Sequence, residues 1–168
     1  RTIIICEKNS IYFKDLKNSN RVIFCHSTKD FLINLARIKR YLLSSKNFIG
    51  ITGSSGKTSL KDLLFTVLNK YKKSYKSQNS FNNNIGLPYT LVNQNIKSEF
   101  NIYELGMNNF GEIDYLSNIL KPNLAIITNI GEAHLGNLGS IKNIAKAKSE
   151  IIKNITKQGT IILNHDCK

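Results

Sequence analysis

Apolar and polar positions along this chain repeat with two different periods. Short apolar runs at Thr2–Cys6, Val22–Cys25, Phe48–Thr52, Phe100–Leu105, Leu124–Thr128 and Thr160–Leu163 read as strands. Between the later runs the spacing turns helical. Leu60, Leu63, Leu64, Val67, Leu68 and Tyr71 form a one-face stripe. Phe31, Leu35, Ile38 and Leu42 do the same over about Thr28–Leu43, and Ile141, Ile144, Ala145, Ile151, Ile152 and Ile155 follow Ser140. From Gly50 onward strands alternate with helices. That order predicts an α/β fold, a mainly parallel sheet with helices on both faces. Ligands of such sheets bind beyond the carboxyl ends of the strands.

The first part of the chain reads differently. Polar breaks at Lys8-Asn9-Ser10 and Asn18-Ser19-Asn20 interrupt short strands, and Ser44-Ser45-Lys46-Asn47 resembles a linker. Residues 1–45 are therefore expected to be the tail of a smaller N-terminal module with a linker helix, and 46–168 a second domain. The chain does not begin with Met and stops just after an apolar run, so a fragment is expected at both ends. No apolar stretch is long enough to span a bilayer, and none resembles a secretory signal. Cys6, Cys25 and Cys167 are scattered without metal-ligand spacing. They read as free thiols of a reducing, cytoplasmic compartment, with a functional thiol as the alternative.

The net charge of +13 invites a nucleic-acid reading. The basic residues are mostly Lys, spread along the chain among many Asn and Ile. The one dense cluster, Lys70-Tyr71-Lys72-Lys73, ends a predicted helix, where cations suit the dipole. No nucleic-acid partner is expected, although a basic surface suits anionic substrates.

The chemistry gathers where strands end. Thr52-Gly53-Ser54-Ser55-Gly56-Lys57-Thr58-Ser59 joins an apolar strand to an amphipathic helix. Glycines there let backbone N–H groups face phosphate oxygens, Lys57 neutralises terminal phosphates, and the Thr58 hydroxyl suits Mg²⁺. The loop is a short variant of the general pattern, with Ile51 where a glycine would stand. Glu104 ends another strand. It is placed either to hold Mg²⁺ or to form a salt bridge. His134, after a further strand, is a candidate ligand or a solvated residue. Lys148 falls where the helical stripe calls for an apolar side chain. Either its stem snorkels to the surface, or it points into a site and meets anions or is modified. Asn79–Asn84, followed by Ile85-Gly86-Leu87-Pro88, reads either as a ligand-binding loop or as an Asx-rich turn.

Taken in order, Thr52–Thr58, Phe81-Asn82-Asn83-Asn84-Ile85-Gly86-Leu87-Pro88, Glu104-Leu105-Gly106-Met107-Asn108, Gly111-Glu112-Ile113, Ala133-His134-Leu135 and Ala145–Ile151 resemble the central ATP-binding domain of the Mur ligases. The resemblance runs from about Val22 to the end. It departs at Asn79-Ser80, where many relatives carry Gly-Asn. It implies an ATP-dependent amide ligase of peptidoglycan precursor synthesis. Within the family the segments fit best an enzyme that adds D-Ala-D-Ala to UDP-MurNAc-tripeptide through an acyl phosphate. A MurE-like ligase of the same superfamily and a truncated, non-catalytic nucleotide-binding module are the alternatives.

By the resemblance, Thr52 to Ser59 bind ATP. Lys57, His134 and Lys148 serve catalysis, and Asn82 and Asn83 touch the UDP-substrate or the phosphates. Thr58 and Glu104 hold a first Mg²⁺, and His134 with a carbamylated Lys148 serves a second. A monomer is expected. The rest of the central domain and a C-terminal domain are expected to be missing from this piece, which would then bind nucleotide weakly and not ligate.

Overall fold

The computed structural model describes residues 2–166. Five parallel strands form the main sheet in the order β4-β5-β3-β6-β7. They are β3 (Asn47–Thr52), β4 (Ser74–Lys76), β5 (Phe100–Glu104), β6 (Leu124–Ile127) and β7 (Thr160–Leu163). The expected α/β architecture is therefore present. β1 (Ile4–Glu7) and β2 (Val22–Cys25) pair with each other in a separate parallel ribbon, next to the short helix α1 (Phe13–Leu16). β4 has no counterpart in the apolar pattern, because only Tyr75 is apolar in its three residues.

Side-chain alternation divides the sheet between two cores. Ile49, Ile51, Ile102 and Ile126 face α3 (Lys57–Leu68), whose Leu60, Leu64, Phe65 and Leu68 cover them. Phe48, Tyr103, Leu105, Ala125 and Ile127 face the other way. They pack with α2 (Thr28–Leu42), α4 (Gly86–Val92), α5 (Glu112–Leu120) and α7 (Ile141–Ser149), the last running into a 3-10 turn at Glu150–Asn154. α6 (Leu135–Leu138) is a single turn before α7.

α2 presents a different face from the one its stripe suggests, and α3 turns only half of its stripe (Leu60, Leu64 and Leu68) onto the sheet. On α2 the buried residues are Ile33, Ala36 and Arg40, while Ile38 and Leu42 are exposed. Arg40 is tolerable there because its guanidinium donates to the carbonyls of Leu120 and Lys121 at 2.6 and 2.7 Å and lies over the Phe48 ring. On α3, Leu63, Val67 and Tyr71 just beyond it are exposed and Lys61 is buried. Both helices carry adjacent apolar stripes, and partners distant in sequence decided which one turned inward.

α2 packs on the main body through Ile33 and Ala36. Among the described residues no helix is long and apolar enough to cross a membrane. Cys6 and Cys25 are free thiols; Cys167 lies outside the described residues. The chain leaves β3 towards β4 and β5 on one side, then crosses to β6 and β7 on the other. The carboxyl end of β3 is thus the switch point of the sheet, and the glycine loop begins there.

Candidate functional site

The loop between β3 and α3 has the shape its glycines permit. Gly53 sits at φ +150°, and a Cβ there would collide with the Thr128 hydroxyl. Gly56 caps α3 at φ +78° with no side-chain cap, which leaves the first N–H groups of the helix directed outward. The strand end of β6 braces the loop. Ser54 N donates to the Asn129 carbonyl at 3.1 Å, and Ser55 N donates to Asn129 Oδ1 at 2.9 Å. Thr128 Oγ1 donates to the Ser55 carbonyl at 2.6 Å, and Gly131 N donates to Ser54 Oγ at 2.9 Å. The Lys57 ammonium folds back onto the Gly53 carbonyl at 2.7 Å. Burial lowers its pKa, opposed by the Glu104 charge.

A cleft of about 230 Å³ opens beside this loop. Gly53, Lys57, Asn82, Asn83, His134 and Lys148 all line it. Six predicted residues from four separate segments thus meet at the carboxyl end of the sheet. Thr52 lies beneath, fully buried, with its hydroxyl unpartnered. Ser54, Ser55, Gly56, Thr58 and Ser59 stay on the loop and first helical turn and do not border the cleft. A larger cavity, about 800 Å³, lies at the opposite end of the strands, around Asn47, Phe100 and Leu124, away from this chemistry.

Lys148 is 1 % exposed, so its stem does not snorkel to the outer surface. α7 carries it between Ile144 and Ile151, with Ser140 capping the helix by accepting from Asn143 N. No ion pair or hydrogen bond reaches its ammonium among the described residues. Burial, reinforced by the Lys57 charge, lowers its pKa to about 8. His134 holds a left-handed φ of 69°, an uncommon conformation for a side-chain-bearing residue. Burial and the charges of Lys148 and Lys57 lower its pKa, so the ring is neutral at pH 7 and can accept or ligate.

The asparagine loop serves two ends. Asn83 Oδ1 accepts from Ile85 N and Gly86 N at 3.1 and 2.8 Å, the Asx turn that starts α4. The Asn82 carbonyl accepts from Gly106 N at 2.8 Å, and its side chain lies against that glycine. Glu104 is 1 % exposed, and its Oε1 lies 2.8 Å from Lys61 Nζ. The approach lacks hydrogen-bond geometry, and the ammonium donates instead to the Asn79 carbonyl at 2.7 Å.

Three residues of the site carried no role in the sequence reading. Lys61 lies outside the apolar stripe of its helix and reads as an ordinary surface lysine. Asn129 is legible only as a polar residue at a strand end. Glu112 lines the cleft and accepts from Asn108 N at 2.7 Å and Asn109 Nδ2 at 3.2 Å. Burial pushes its carboxyl up, but these bonds, with His134 once it is protonated at acid pH, outweigh that and lower its pKa.

No group of three His, Cys, Asp or Glu side chains suited to a metal occurs among the described residues. A hard cation would instead draw on hydroxyls, one carboxylate and ligand phosphates, a donor set that suits Mg²⁺. The unpartnered Thr52 Oγ1 is an oxygen of that kind, and Glu104 Oε1 is another, although Lys61 Nζ already lies 2.8 Å from it. Around His134 the fit is poor while Lys148 is an ammonium, because two lysines would repel a cation.

Residues 51–168 match the family model of the Mur ligase middle domain. The chain is similar to the UDP-N-acetylmuramoyl-tripeptide–D-alanyl-D-alanine ligase of Bacillus subtilis (strain 168). The two are 41 % identical over 144 residues, which is 86 % of this chain and 31 % of that protein. With its namesake from Rickettsia prowazekii the identity is also 41 %, over 150 residues, 89 % of this chain and 33 % of the relative. The chain therefore spans about a third of the length of these relatives. In three dimensions it is similar to the crystal structure of MurF from Acinetobacter baumannii, with a TM-score of 0.86, 32 % identity, and coverage of 97 % of this chain and 35 % of that one. The MurF ligase of Thermotoga maritima in complex with ADP superposes with a TM-score of 0.84 at 32 % identity, covering 98 % of this chain and 37 % of that one.

Proposed function

This chain belongs to the Mur ligase family, and on that premise we propose that it is the nucleotide-activating part of an ATP-dependent amide ligase of peptidoglycan precursor synthesis. The reaction is addition of D-Ala-D-Ala to UDP-MurNAc-tripeptide, as the names of its relatives suggest. The observation that carries this reading is the single cleft that joins Lys57 and the glycine loop to Asn82, Asn83, His134 and Lys148. Residues 1–45 would belong to the region that holds the UDP-substrate, and 46–168 to the ATP-binding domain. Work in the cytoplasm as a monomer fits the same reading.

A carboxylate does not condense with an amine in water because its leaving group is poor. Transfer of the γ-phosphoryl group to the tripeptide carboxylate gives an acyl phosphate and ADP. The amine of D-Ala-D-Ala then attacks the carbonyl carbon, and the amide forms as phosphate leaves. The N–H groups of the glycine loop and of the first turn of α3 hold the phosphates, and Lys57 swings from the Gly53 carbonyl onto them. Asn82 and the free part of the Asn83 amide orient the UDP-substrate. Neutral His134 accepts hydrogen bonds within the cleft.

Mg²⁺, when bound, neutralises phosphate charge; Thr58 and Glu104 would hold it. A second cation fits only if Lys148 is carbamylated, which replaces the ammonium by an anion. The lowered pKa of Lys148 favours that modification, since the neutral amine is the form that attacks CO₂. The test is phosphate release by the complete protein. It should require ATP, D-Ala-D-Ala and UDP-MurNAc-tripeptide together, with an amide product seen by mass spectrometry. Preference for the UDP-dipeptide with a single amino acid would overturn the substrate assignment in favour of a MurE-like enzyme.

A further inference from the structure

We propose that Lys61 is a positioning residue that couples the two sides of the cleft, so that nucleotide captured by the glycine loop tightens binding of the carboxylate substrate at the asparagine loop. The inference rests on the cleft binding both ligands, as proposed above. Lys61 stands one helical turn beyond Lys57 on α3, on the side facing the sheet, and is 1 % exposed. A buried ion pair is seldom worth more to stability than apolar residues of the same volume. What this pair adds is direction.

The ammonium lies 2.8 Å from Glu104 Oε1 at the end of β5 and donates at 2.7 Å to the Asn79 carbonyl. Asn79 itself holds a left-handed φ of 47°. Farther along the loop, the Asn82 carbonyl accepts from Gly106 N at 2.8 Å. A Cβ on Gly106 would stand 2.7 Å from Asn82 Oδ1, so the amide rests directly on the glycine. The loop that carries Asn82 and Asn83 therefore hangs from two anchors. One is the β5 end, and the other is the helix whose first turn receives the phosphates. A shift of α3 on phosphate capture would reach Asn82 through Lys61, apart from the direct meeting of the γ-phosphate and the carboxylate.

The experiment is calorimetry on the complete protein, measuring the Kd of UDP-MurNAc-tripeptide with and without a non-hydrolysable ATP analogue and Mg²⁺. The unaltered protein should bind the UDP-substrate at least about fivefold more tightly with the analogue present, and in Lys61→Met that factor should fall to within about twofold of one. The affinity of the variant for the analogue alone, measured without Mg²⁺ so that the freed Glu104 carboxylate does not enter, should change by less than about threefold, which separates coupling from general damage. No coupling in the unaltered protein, or the same factor in the variant, would overturn the proposal. Failure of the unaltered protein to bind nucleotide would instead overturn the reading of the site, and this inference with it. A second measurement does not depend on the variant folding. In the unaltered protein, the analogue alone should slow amide hydrogen exchange between Ser80 and Gly86, and unchanged exchange there refutes the link.

Discussion

Replacing Lys148 with Met removes a cation that the fold buries without an opposite charge among the described residues. Burial, then Lys57, lowers its pKa from 10.5 to about 8. A shift of that size corresponds to an upper bound of about 3 kcal/mol, because solvent in the adjoining cleft screens part of it. The sign follows from linkage. The folded pKa lies below the unfolded one, so the penalty is complete below about pH 8, where both states are protonated. It fades as pH rises from about 8 to 10.5, where only the unfolded chain still holds the proton. Lys148→Met should therefore be more stable than the parent at pH 7, and the gap should close by about pH 10.5. Urea unfolding followed by circular dichroism in CO₂-free buffer measures it. A gap that does not vary with pH, or a parent more stable than the variant at pH 7, would refute the reasoning. The same shift leaves about a quarter of Lys148 neutral at pH 7.5, against about one part in a thousand for an ordinary lysine. Exposure to ¹³C-bicarbonate should then yield a carbamate NMR signal that Lys148→Met lacks.

Lys61→Met strands the buried Glu104 carboxylate and should cost about 3–5 kcal/mol of stability in urea unfolding. Adding Glu104→Leu should restore most of it, and no restoration would mean that the charge is not the cause. Gly53→Ala places a Cβ against the Thr128 hydroxyl in a backbone region that suits glycine. It should weaken ADP binding at least about tenfold in calorimetry while leaving the far-UV spectrum intact, since the strain is confined to the loop. Glu112 contributes stability that is present above its unfolded pKa and lost as pH falls through its lower folded value. Glu112→Gln should thus flatten the acid limb of the thermal unfolding profile below about pH 4.5, and an unchanged limb would assign that titration to other carboxylates.

Much of the site is legible in the sequence alone. The short glycine loop, Glu104, His134 and Lys148 all stood out because each breaks an otherwise regular apolar pattern at a strand end or on a helix. Lys148 shows why such breaks inform: a charge on a buried stripe is costly, so its persistence points to a use. Lys61 shows the limit. It also breaks a buried face, but α3 carries two neighbouring apolar stripes, and periodicity chose the one that left Lys61 outside. Asn83 was open between ligand and turn. The structure commits its Oδ1 to the Asx turn and leaves only the rest of the amide for a ligand.

Local physics acts within a few residues, so the sequence by itself determined the strands of apolar runs, the helices, the loop conformation that Gly53 and Gly56 permit, and the parallel alternation of elements. What tertiary structure alone decided was which residues meet. β4 exists only because β5 offers it an edge. The inward turn of α3 depends on Glu104, far along the chain, as counter-charge for Lys61. The bracing of the glycine loop depends on Asn129 at the end of another strand. Ion pairs and hydrogen bonds between distant residues leave no periodic trace, so only the folded chain brings the parts of the cleft together.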